Sequence, residues 1–130
     1  MNPDHPHTWH YTLDVAAGLA TLGSATDDAM GRAWMLPAAP PLTAREMIGR
    51  LAREVGRGAR ITTLPPLLLR AFGLLMPILR ELAEMGYQWD EPFIVDDRRF
   101  RERFEMLPTP LEEGVRAAAE WGKQAAGTVR

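Results

Sequence analysis

At 130 residues, with 46% hydrophobic and 25% charged side chains, the chain reads as one domain spanning 1–130, large enough for a core of its own. A net charge of -2 without any basic run argues against nucleic acid as the main partner. The lack of cysteine excludes disulfides and thiolate chemistry and fits a cytoplasmic protein.

The N-terminal MNPDHPHTWHY has neither a basic start nor an apolar core, so it does not read as a signal peptide. Trp9 to Thr12 suits a short strand. Asp14 is placed to cap a helix from Val15 to Leu22, with Val15, Leu19 and Leu22 aligned and Gly23 as the stop. Ser24 to Asp28 is polar and without period. Arg32 to Leu36 (RAWML) reads as a second strand ended by Pro37.

Thr43-Ala44-Arg45-Glu46 is a capping box opening the clearest helix of the chain. Met47, Ile48, Leu51 and Val55 lie on one face, and Gly56 stands where a C-terminal stop belongs. The β-branched stretch Arg60 to Leu64 suits a third strand. After Pro65-Pro66, Leu67 to Met76 predicts a helix that Pro77 must end or kink, followed by a second helical stretch from Ile78 to Met85. The apolar run Leu67 to Leu79 holds Arg70 and Pro77 and is shorter than the ~20 residues a membrane span needs. A buried or partner-facing helix pair, with no membrane partner, is the reading.

Phe93-Ile94-Val95 reads as a buried strand or extended segment. Asp96 stands at an N-cap position, and Phe100 and Phe104 follow at i and i+4 on one helical face. A loop stopped by Pro108 follows. Thr109-Pro110-Leu111-Glu112 is then a capping box for a terminal helix on which Leu111, Val115, Ala118 and Gly122 share a face. Helices thus dominate, with about four short extended segments, which gives an α/β or α+β fold.

Chemistry is sparse. His5, His7 and His10 have no spacing that suits a helix face and no cysteine to complete a site, so no metal is assigned to them. The pairs Asp27-Asp28, Asp96-Asp97 and Glu112-Glu113 fall in loops or first helical turns, where capping and the helix dipole account for them better than acid–base catalysis. No nucleophile motif, phosphate loop or G-x-G-x-x-G turn is present, and no catalytic residue is assigned. The strongest ligand signal is Tyr87 and Trp89 in the stretch from Gly86 to Pro92. A loop there would present two amphipathic rings, with Met76 and Met85 adding adaptable apolar surface, so these four are the candidate substrate-binding residues.

Taken together, HTWHYTLDVAAGLATLG, GRAWMLP, LTAREMIGRLAREVG, FIVDDRRFRERF and TPLEEGVRAAAEW stand in an order that resembles the C-terminal portion of the extended short-chain dehydrogenase/reductases, the NAD-dependent epimerase/dehydratase family. The resemblance runs from about His7 to Lys123. Asp96, Arg99, Phe100, Thr109, Glu112, Gly114 and Val115 match the family's closing pattern. It implies a substrate-binding role beside a nucleotide-binding half that supplies NAD or NADP and a Tyr-x-x-x-Lys pair. This chain departs from the family there. It has no glycine-rich turn, Tyr11 is followed four residues on by Val15, and Tyr87 by Glu91. The expectation is a substrate-side portion with no cofactor of its own, inactive alone. It would associate with further copies or with a nucleotide-binding partner portion. A stand-alone binding or protein-interaction module that keeps the fold without redox chemistry is the alternative.

Overall fold

The computed structural model describes residues 2–63 and 87–128, together with Met76 and Glu81. These are helix-rich, with one small two-stranded antiparallel sheet, in keeping with an α/β or α+β class. In chain order they form β1 (Pro6–His7), α1 (Thr12–Gly23), a 3-10 turn (Asp27–Ala29), β2 (Leu42–Thr43), α2 (Ala44–Val55), the single helical turn α3 (Tyr87–Asp90), α4 (Arg98–Phe104) and α5 (Leu111–Thr128). The chain divides into two compact units, one of Met1–His7 and Leu42–Phe93, the other of Thr8–Pro41 and Ile94–Arg130.

In the first unit, Pro6 pairs with Thr43 and His7 with Leu42, and Phe93 joins His7 through one parallel bridge. The capping box of α2 forms as its sequence requires. The Glu46 N–H donates to Thr43 Oγ1 at 3.1 Å, and the Thr43 N–H donates back to Glu46 Oε2 at 2.9 Å. Those donors hold the Glu46 carboxyl below its ordinary range, the Thr43 backbone N–H most of all. Gly56 closes the helix at φ 74, a left-handed conformation that a Cβ would strain. Met47 and Leu51 are half-buried, while Ile48 and Val55 face outward.

Among the described residues the buried apolar side chains belong to the second unit. Phe100 and Pro37 are completely buried, and Ala29, Ala38, Val115 and Ala119 are buried as well. As the i, i+4 spacing predicts, Phe100 and Phe104 stack side by side, with centroids 4.7 Å apart. Both meet Trp34 edge-on, at 6.0 and 5.2 Å.

Several expectations are overturned. Trp9 to Tyr11 form no strand, and Thr12 opens α1, so Asp14 lies inside the first turn and Tyr11 takes the cap position. Arg32 to Leu36 and residues 60–63 form no strand, because among the described residues no strand lies beside either one. Of Phe93 to Val95 only Phe93 makes a bridge. The cap position of α4 falls on Asp97, not Asp96, and no cap hydrogen bond comes from its side chain. On α1 the buried positions are Asp14 and Gly18, while Leu19 points outward. Close packing accompanies it: a Cβ on Gly18 would meet Leu36 Cδ2 at 2.7 Å and the end of that side chain would have to shift. On α5 it is Ala119 that is buried beside Val115, and Ala118 is exposed, a choice that three successive alanines left open. The stretch expected as a loop around Tyr87 and Trp89 contains the helical turn α3. The predicted helices Leu67 to Met76 and Ile78 to Met85 lie outside the described residues apart from Met76 and Glu81.

Candidate functional site

Two buried carboxylates organise the second unit. Asp14 accepts from the Thr109 N–H at 2.8 Å and from the Thr109 hydroxyl at 2.7 Å, tying the first turn of α1 to the entry of α5. Asp97 accepts from the Ala38 N–H at 2.8 Å and from Arg101 at 2.7 and 2.9 Å, and Arg101 also donates to the Ala38 carbonyl at 2.9 Å. Each carboxylate satisfies backbone and side-chain donors at once, as burial of a charge demands. Acid–base catalysis finds no support in these two. They are braces.

The exposed carboxylates serve as ion-pair partners. Asp28 accepts from Thr26 and, at 3.0 Å, from Arg103, which hold its carboxyl below the ordinary range, Thr26 contributing most. Asp96 receives Arg98 through two nitrogens, at 2.6 and 2.9 Å, and Arg98 lowers its carboxyl to about 2. Ion pairing thus takes the place of capping at Asp28, Asp96 and Asp97, while Glu112 and Glu113 stand in the first turn of α5 as expected.

The second unit also has an open groove of about 500 Å³, lined by Ala33, Trp34, Met35, Arg99 and Phe100 together with the charged Asp96, Arg98 and Glu102. The Trp34 ring is fixed on one edge by its Nε1–H, which donates to the Ala29 carbonyl at 2.8 Å, and beneath by Phe100 and Phe104. The guanidinium carbons of Arg99 and Arg32 lie 5.2 and 5.9 Å from its centroid. Met35 stands 53% exposed beside it. A rigid aromatic floor, an adaptable thioether and a guanidinium fork are the parts of a ligand-binding surface.

The four residues expected to bind substrate belong to the stretch 76–89, which falls in the first unit. Tyr87 and Trp89 belong to α3, Met76 is about half exposed, and Met85 lies outside the described residues. Sequence reading missed Trp34, Arg32 and Arg99. The adjacent Arg98-Arg99 was visible as part of a mixed-charge helix, but nothing local says that it meets a tryptophan some 65 positions earlier. Among the described residues no group of three or more histidines and carboxylates is placed to hold a metal ion, the histidines at 5, 7 and 10 included. No described helix is long and apolar enough to cross a membrane. No family model matches the chain, and neither a curated protein nor a solved structure matches it.

Proposed function

We propose that this chain is the substrate-side portion of a cytoplasmic NAD(P)-dependent epimerase, dehydratase or reductase of the extended short-chain dehydrogenase/reductase type. A separate nucleotide-binding portion would supply the cofactor and the Tyr-Lys pair. What supports the reading is that the segments carrying the resemblance pack on one another. Asp14 of HYTLDVA holds Thr109 of TPLEEG, Gly18 seats Leu36 of GRAWML, and Phe100 of the closing helix lies against Trp34. Tyr87, Trp89, Met76 and Met85 stay the proposed substrate wall. An NMR fragment screen that moves none of their signals would remove them.

The reading is tested with the dinucleotides. Calorimetric titration of this chain alone with NAD(H) and NADP(H) is expected to give no binding, because no glycine-rich turn offers backbone amides to the pyrophosphate. Micromolar affinity would overturn it. Co-production with the product of the adjacent upstream reading frame should give a complex that does bind dinucleotide. An upstream frame without a glycine-rich βαβ unit would count against the proposal.

The second reading, a stand-alone interaction module, draws on apolar side chains left outward. Leu13 and Leu19 on α1 and Trp121 on α5 are 64%, 58% and 72% exposed.

A further inference from the structure

We propose that the groove at Trp34 is a binding site for a small organic oxyanion, a carboxylate or phosphate ester carried on a flat apolar body. The floor is prepared in advance, since Trp34 is held by its bond to Ala29 and by the buried Phe100. A flat apolar body gains most against such a surface, and Met35 adjusts to its edge.

The charge comes from Arg32 and Arg99. Arg45, Arg98, Arg101 and Arg103 each pair with a carboxylate at 2.6 to 3.0 Å. Among the described residues no carboxylate pairs with Arg32 or Arg99, which lie against the indole instead. A guanidinium over an aromatic face is attracted through its charge, and its in-plane N–H donors stay available to grip an oxyanion with two parallel bonds. Of the other charges at the groove, Arg98 is engaged by Asp96, and Glu102 is the carboxylate an anion has to avoid. Among the lining charges Arg98 and Arg99 offset Asp96 and Glu102, and Arg32, 5.9 Å from the Trp34 centroid, tips the balance to positive. The floor therefore favours an anion, and Glu102 confines it to the Trp34 side. The cavity's 500 Å³ suits a ligand of one or two fused rings.

The test is an NMR titration following the Trp34 indole N–H, assigned from the Trp34→Phe spectrum. The probes are 1-naphthoate, 1-naphthyl phosphate, the neutral 1-naphthylmethanol and inorganic phosphate. One or both naphthyl anions should shift the Trp34 signal saturably, and the stronger of the two names the oxyanion. Arg99→Gln and Arg32→Gln should each weaken that binding about tenfold, as loss of a charge-assisted pair does. Arg53→Gln on α2 should leave it unchanged. Near-identical amide spectra establish that the variants stay folded. The proposal fails if naphthylmethanol shifts Trp34 as strongly as the anions. It fails equally if inorganic phosphate alone binds as tightly as naphthyl phosphate, if Arg99→Gln binds like the parent, or if no probe saturates in the millimolar range.

Discussion

Three donors converge on one oxygen of Asp97, and the loss of that side chain separates two kinds of cost. Asp97→Ala leaves the Ala38 N–H and a half-buried Arg101 without their acceptor, and should lower stability by about 2–3 kcal/mol in urea unfolding. Asp97→Asn keeps one acceptor oxygen and should cost less. Equal losses for the two would mean that charge and not geometry is what matters there. Thr109→Ala removes the hydroxyl bond to Asp14 and should cost about 1 kcal/mol, read from the denaturation midpoint. An unchanged midpoint would show that the backbone N–H bond to Asp14 suffices. At Asp96, Arg98 holds the folded carboxyl near 2 against an ordinary 3.8. The pair's small contribution is therefore complete above 3.8 and fades as pH falls through about 2, with little weight for a surface pair. Arg98→Gln should return the Asp96 titration toward 3.8, followed by side-chain carboxylate NMR, and an unmoved titration would show the pair does not persist in solution. None of these three carboxylate roles was legible in the sequence. Asp14 and Asp96 look like caps locally, and only partners 95 and 59 residues away decide what Asp14 and Asp97 do.

At the scale of the element, α2 was legible because its signals are all local. Thr43 and Glu46 sit three apart, the apolar stripe follows a 3.6 period, and glycine stands at the stop. Two of its glycines should respond with opposite sign. Gly56→Ala forces a Cβ into φ 74 and should cost about 1 kcal/mol, whereas Gly49→Ala faces open space inside the helix and should gain about 0.5–1 kcal/mol. Thermal unfolding of both variants checks this, and a shift in the same direction for both would contradict it. The short apolar runs were read less well. RAWML has the composition of a strand, but a strand needs a neighbour, and Trp34 is instead pinned by its indole to Ala29. The pair Phe100 and Phe104 was readable from spacing. Their meeting with Trp34 was not, and the groove went unread with it.

Across the whole molecule, outward apolar surface is the feature that calls for a partner. On α1 the arrangement is inverted, with the acidic Asp14 buried and Leu13 and Leu19 turned outward. We predict self-association of the isolated chain, with the double variant Leu13→Glu/Leu19→Glu shifted toward monomer in sedimentation while keeping its helical circular dichroism. A monomeric parent at high concentration would sink this. The apolar run Leu67 to Leu79, which raised the same expectation from sequence, lies outside the described residues apart from Met76. The second unit is also assembled from both ends of the chain, Thr8–Pro41 and Ile94–Arg130, with Leu42–Phe93 belonging to the first. During synthesis, then, α1 leaves the ribosome with its acidic side chain awaiting Thr109. At roughly 5–20 residues per second, the 95 residues from there to Thr109 take about 5–20 s to be made. For that interval α1 has no place to bury Asp14, and a nascent chain halted before α5 should be open to proteases and chaperones in this unit, while the α2 cap, complete within four residues, is already closed.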